Sequence, residues 1–282
     1  MLPFFYAHSG LYGNFAADLK YRPMIETHAH IYDSKFEDDL DDMLARAWGV
    51  GIEEIWMPNC DSTTIESMLA IADQEPKRCL PMIGLHPCYV NENFEWELKI
   101  VEDWLGKREF IAIGEIGMDL YWDKTYVKQQ EQAFLYQCQL AMDHGLWIDI
   151  HSRNAFYEVV ALIEKFGNPH LTGIFHCFTG SLEEAKIVID LGFKLGIGGV
   201  ATFKNGGLDK VLPFLEPKDI VLETDAPYLA PVPYRGKRNE VAYIDLVAQR
   251  VADLMQISKP ELITITTHTA RTLCRKNSEI NL

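Results

Sequence analysis

Two histidines one residue apart, His28 and His30, follow directly on a short apolar run, MIET. In extended chain the side-chain period of two sends both imidazoles to one side. Four more residues able to hold a metal stand at the ends of other apolar runs: Glu115 in AIGEIGMD, His151 in DIHSR, His176 in IFHCF and Asp225 in LETDAPY. Any one of them alone could be a hydrogen-bonded structural residue. Six together are different, because gathering that many titratable groups in one buried place is costly without a cation. Imidazoles and carboxylates without thiolates suit zinc, manganese or magnesium. Two divalent ions are expected, since a carboxylate from a central strand can bridge ions ~3.5–4 Å apart, and Glu115 is the candidate bridge. The chemistry that follows is attack by an activated water on an ester or phosphodiester.

The elements that would position these residues are legible from Met24 onward. Eight β-rich apolar runs alternate with helical-period segments: 24–27, 54–58, 80–85, 110–115, 146–151, 171–176, 193–197 and 219–224. Between them, Phe134, Cys138 and Ala141 share a face, as do Ile244, Val247, Val251 and Leu254, at the spacing of covering helices. Asp61-Ser62 and Thr179-Gly180-Ser181 offer N-cap oxygens, and 226–236, with three prolines, reads as a long loop. Eight strands with no G-x-G-x-x-G turn after the first favour a closed (β/α)₈ barrel over an open doubly wound sheet. In such a barrel catalytic groups sit at the carboxyl ends of the strands, which is where the six candidates fall. The expected organisation is an N-terminal arm over 1–22, or the product of an upstream start codon, and one barrel domain over 23–282.

The composition allows this. The chain has 282 residues, 48% hydrophobic and 11% aromatic, within reach of one barrel core. Its six cysteines form no C-x-x-C pair, arguing against a disulfide framework or zinc knuckle and for buried free thiols in a reducing cytoplasm. The first residues lack a basic start and a long apolar run, and no stretch reaches the ~18 apolar residues of a membrane span. A soluble, cytoplasmic protein is expected. Net charge is −15, so a phosphate-bearing partner needs a local positive site.

The motifs THAHIYD, IGLHP, AIGEIGMD, DIHSR, FHCFTGS and LETDAPYLAPVPYRGKRNE together resemble the TatD family of metal-dependent deoxyribonucleases, from about Glu26 to Asn239. That resemblance implies a (β/α)₈ barrel, two divalent ions and hydrolysis of DNA, often as a 3′ to 5′ exonuclease on single strands. Members have also been assigned to removal of D-amino acids from tRNA. Carried over, it implies that His28 and His30 bind one ion, Glu115 bridges, His151 and His176 bind the second, and Asp225 ligates and orients the attacking water. The arm over 1–22 and Val241, where the family usually has proline after RNE, depart from the pattern; the latter concerns only how the last long helix starts.

Phosphate could be held by Arg235, Lys237 and Arg238 in the loop after the eighth strand, with Arg153 and His86 as further candidates. The plainer readings are a solvated basic loop and a His86 that caps the turn before Pro87. Tyr121 and Trp122 could stack on a base or cover the rim. Cys177, beside His176 on a strand, should face the other way and pack. His8, His144 and His170 match no motif and read as surface or structural. An ester or amide hydrolase such as a D-aminoacyl-tRNA deacylase uses the same ligands and stands as the alternative. A non-catalytic binding protein on the same barrel is more distant, because no ligand is missing.

Overall fold

A computed structural model describes residues 23–279, so the expected arm over 1–22, with His8, lies outside the described residues. The strands are β1 (Met24–Glu26), β2 (Ile52–Met57), β3 (Cys79–Pro81), β4 (Ala112–Asp119), β5 (Trp147–Arg153), β6 (Gly173–Phe175), β7 (Lys194–Ile197) and β8 (Ile220–Leu222). All pair in parallel, in the orders β1-β2-β3 and β4-β5-β6-β7-β8. Single parallel bridges, Ile83 to Ile113 and Ala29 to Ala226, join the two sheets on both sides and close the (β/α)₈ barrel. The second seam is laced by backbone bonds from Thr27 N–H to Leu222 O, Asp225 N–H to His28 O and His30 N–H to Ala226 O.

Helices α1 (Leu40–Gly49), α2 (Ile65–Gln74), α3 (Phe94–Leu105), α4 (Val127–Asp143), α5 (Phe156–Phe166) and α6 (Leu182–Asp190) follow the first six strands, with α7 (Ile244–Met255) and α8 (Lys259–Glu279) after β8. Ser181 caps α6 in a full capping box with Glu184. The other expected cap differs. Asp61 accepts from Thr63 in the preceding turn, and α2 begins only at Ile65. Between β7 and β8 short 3₁₀ turns stand in for a helix. Val241 opens a 3₁₀ turn leading into α7, and the last long helix is in fact α8.

One apolar cluster draws on nearly every strand: Ile25 from β1, Trp56 from β2, Ala112 from β4, Trp147 from β5, Ile174 from β6 and Val221 from β8. Only the inside of a barrel can bring six strands to one cluster. Ala270 and Leu273 of α8 complete it, so α8 stoppers the end opposite the strands' carboxyl termini. The larger cluster lies outside, between strands and helices, and includes Phe134, Cys138, Ala141, Ile244, Val247 and Val251. All six cysteines are free, but only Cys79 and Cys138 are buried; Cys88 is exposed and the others are half-buried. No described helix is long and apolar enough to cross a membrane.

Two strands run further than their apolar content predicts. Hydrophobicity places the end of β4 at Glu115 and of β5 at His151, yet Gly117, Met118 and Asp119 go on to pair with His151, Ser152 and Arg153. Gly117 allows this, at φ +146°, where an added Cβ would stand 1.9 Å from the His151 carbonyl oxygen. A register shift between Ile113 and Ile116 adjusts the pairing around Glu115. Gly117→Ala is therefore expected to cost at least ~2 kcal/mol in chemical denaturation, because the obstructing atom is backbone. A loss under about 0.5 kcal/mol would contradict this account of the β4–β5 pairing.

Candidate metal centre

All six strand-end candidates meet at the barrel mouth, around the carboxylate of Glu115, which is 2% exposed. Its Oε2 lies 3.4 Å from both His28 Nε2 and His30 Nε2. Its Oε1 lies 2.8 Å from His151 Nδ1 and 2.8 Å from His176 Nε2. Asp225 Oδ1 is 3.7 Å from each of the β1 imidazoles, brought there by the seam bonds between β1 and β8. Asp225 and Cys177 both leave their strands in the left-handed region, at φ 55° and 46°. Such backbone strain outside glycine concentrates at functional sites.

The donor spacing fits a metal ion. Around His28, His30, Glu115 Oε2 and Asp225 Oδ1, the N–N and N–O separations run from 3.2 to 3.7 Å. Bonds of ~2.0–2.1 Å to a tetrahedral ion put ligand atoms about 3.3 Å apart, the tetrahedron edge being roughly 1.6 bond lengths. Three overlapping sets, His28/Glu115/His176, His28/His30/Asp225 and His86/Glu115/His151, each have donor atoms within 4.8 Å of one another.

What lies behind the donors fixes their roles. His28 Nδ1 donates to Asp149 Oδ2 at 2.7 Å, turning Nε2 to face the centre. Tyr32 Oη donates to Pro58 O, so it accepts from His30 Nδ1 at 2.9 Å, with the same result. His151 lies 2.9 Å from Asp119 Oδ2 through Nε2, turning Nδ1 inward. These are the partners that orient and strengthen ligating imidazoles. His176 lacks such a partner: its buried Nδ1 has none among the described residues, with Glu223 3.9 Å away. Its ring instead stacks on His28 at 3.9 Å.

His86 stands beside Glu115 at the centre. Its Nδ1 accepts the Cys88 N–H at 3.0 Å, as the turn-capping reading has it, which leaves its proton on Nε2. That N–H points at Glu115 Oε1, 3.3 Å away, making His86 a hydrogen-bond donor to the centre. Burial lowers its pKa and keeps it neutral. Arg238 grips Asp39 through both terminal nitrogens, at 2.6 and 2.7 Å. Arg235 is exposed over the Phe203 ring, and Lys237 is exposed on the same loop. Arg153 stacks on Tyr121, 3.9 Å from the ring centre, at the rim. Cys177 is not on a strand, because β6 ends at Phe175; it sits half-buried in a turn, its N–H donating to Glu223. His144 and His170 are exposed.

Sequence reasoning passed over Asp119, Asp149, Tyr32 and Glu26. Asp119 and Asp149 lay within quoted motifs, each an even number of residues along an extended run from a named candidate, which was the available signal. Burial would raise Glu115, but His176, His86 and His28 hold it well below the ordinary carboxylate range. Burial also opposes charge on His151, and its contacts with Asp119 and Glu115 outweigh it, lifting the imidazole to about 9. Asp225 is raised by burial, with His28 and His30 opposing.

A model of the TatD related DNase family matches residues 25–275. The chain belongs to the TatD family. It is 35% identical to the uncharacterized metal-dependent hydrolase YabD of Bacillus subtilis, over 90% of this chain and all of that one. It is 31% identical to the 3′-5′ ssDNA/RNA exonuclease TatD of Salmonella typhimurium, over 89% of this chain and 98% of the relative. The structure of the YJJV TatD homologue of Escherichia coli superposes with a TM-score of 0.83 at 27% identity, over 89% of this chain and 97% of that one. This TatD-family protein is thus a metal-dependent hydrolase on the family's barrel.

Glu26, behind the centre, yields a pH test. Its Oε1 accepts from His28 N–H and Thr224 N–H, and burial lifts the carboxyl from its ordinary 4.5 to about 8. The folded chain therefore binds more protons than the unfolded one between those values. Stability carried by neutral Glu26 is complete below the lower value and lost as pH rises through the upper. Glu26→Gln keeps the acceptor and cannot ionise. Its melting temperature is expected to gain on that of the parent from about pH 5 to about pH 8, and a gap that stays flat refutes the assignment.

Proposed function

We propose that this protein removes nucleotides from the 3′ ends of single-stranded DNA, using two divalent ions, zinc, manganese or magnesium, that His28, His30, Glu115, His151, His176 and Asp225 would hold around the Glu115 carboxylate. The observation that carries the reading is the arrangement of donors about that carboxylate: His28 and His30 beside Oε2, with Asp225 3.7 Å from both, and His151 and His176 beside Oε1. Ions bound there supply Lewis acidity and activate water for attack on phosphorus.

The chain's own residues do the rest. Asp149, Tyr32 and Asp119 orient three imidazoles, each with one ring nitrogen turned toward the centre. Asp225, whose proton affinity burial increases, accepts the proton of the attacking water. The His86 N–H stabilises negative charge beside Glu115. Arg153 at the rim, with Arg235 and Lys237 on the loop after β8, supplies positive charge for the phosphate backbone on an otherwise acidic protein. The relative from Salmonella typhimurium, whose name carries this activity, supports the choice of substrate. Six filled donor positions speak against a non-catalytic barrel. A D-aminoacyl-tRNA ester would use the same donors and offer the same cations its phosphates, so the donors and cations alone do not separate the two substrates.

Purified protein supplied with magnesium or manganese is expected to shorten single-stranded DNA from a free 3′ end. It should spare a 3′-blocked strand, stop on chelation, and lose at least about 100-fold in rate as Asp225→Ala. Equal cleavage of blocked strands would overturn the exonuclease reading, and full activity of the variant would overturn the role of Asp225. Asp149→Asn is expected to weaken metal binding by about 10–100-fold in a metal titration, since it removes the group that orients His28. Unchanged affinity would place His28 outside the ligand set.

A further inference from the structure

Beyond Asp119 the rim carries two aromatic side chains that the fold does not bury, Tyr121 at 51% and Trp122 at 70% exposure. Their backbone is nonetheless tied down. Asp119 Oδ1 accepts from the backbone N–H of Tyr121 at 2.9 Å and of Trp122 at 3.2 Å, while its Oδ2 lies 2.9 Å from His151. One buried carboxylate thus ties the aromatic pair to an imidazole of the metal centre. The rings stand edge to face, 4.8 Å apart at 88°. The Arg153 guanidinium lies 3.9 Å from the centre of Tyr121 and 5.2 Å from that of Trp122, covering one side of the pair.

Trp122 also borders a cavity of about 610 Å³, walled by the rings of Tyr89 and Tyr126 and by Asp61, Asp119 and Asp123. Its wall chemistry selects its occupant. Carboxylates repel a phosphate and accept from N–H donors, and flat rings favour a flat π-surface. A nucleobase has both an aromatic face and amino or imino edges, and bases stack on aromatic and guanidinium planes alike. The phosphate stays on the other side of Asp119, where the centre and Arg153 lie.

We infer that the Trp122 cavity is a subsite for the terminal base of a single-stranded nucleic acid, stacked on Trp122 while its phosphodiester reaches the metal centre. This rests on the exonuclease reading and adds to it how the end is recognised: by a base too unpaired to stay in a duplex. Base stacking tolerates any sequence, so the subsite discriminates a base from no base rather than one base from another.

Two measurements test this. In the first, the enzyme with magnesium acts on single strands ending in a normal or an abasic 3′ nucleotide. The normal end is expected to be preferred by about tenfold in kcat/KM, mostly through KM, and Trp122→Ala should bring the two substrates within about twofold of each other. Trp122→Phe, which keeps a ring, should retain most of the preference. A wild type indifferent to the base, or an alanine variant that preserves the preference, overturns the subsite. In the second, binding of dAMP and of 2-deoxyribose 5-phosphate is compared by titration calorimetry, which needs no hydrolysis. Binding of dAMP is expected about tenfold tighter in the wild type and no tighter in Trp122→Ala. Base preference without DNA cleavage would keep the subsite and remove the exonuclease reading; cleavage without base preference would do the reverse.

Discussion

The mouth of this barrel answers to one electrostatic demand, that Glu115 stay ionised where water barely reaches it. Burial alone would protonate it, and the imidazoles pressed against its two oxygens reverse that outcome. The imidazoles are costly in turn, and most are held by a further group: Asp149 behind His28, Tyr32 behind His30, Asp119 behind His151, the Cys88 backbone behind His86. These partners sit on different strands or on the loops that follow them, and His28 and Asp149 are 121 positions apart in the chain. Only a closed barrel brings them together. Its seam between β1 and β8, which sets His28 and His30 beside Asp225, is a condition for the centre and not merely the end of the sheet.

Much of this was legible without coordinates, for a physical reason. A polar residue that ends an apolar strand has few roles, and six of them at five strand ends have fewer still. Eight strands, parallel order and the covering faces of α4 and α7 followed from periodicity alone. Hydrophobicity failed where it stopped being the controlling variable. In β4 and β5 the pairing past Glu115 and His151 depends on a glycine with positive φ, which carries no apolar signal. Cys177 was misplaced for a related reason, since the period of two holds only inside a strand and β6 ends two residues earlier.

Charge was the least transferable signal. Three cations within four residues read as one phosphate clamp; Arg238 grips Asp39, far back along the chain, and Arg235 and Lys237 are exposed. The net −15 is no better guide, because what matters at the mouth is how charge is apportioned. Asp119 separates a donor-rich centre from a cavity with carboxylate walls, so neighbouring spaces a few ångströms apart favour opposite partners.

The helix that stoppers the far end also settles the traffic of the molecule. With Ala270 and Leu273 set under a filled interior around Trp56 and Trp147, the barrel is a cup and not a tube. A polymer cannot be threaded through it, and whatever enters must back out by the same opening. Substrate and product therefore share one doorway, and the product leaves by the mouth through which the substrate came.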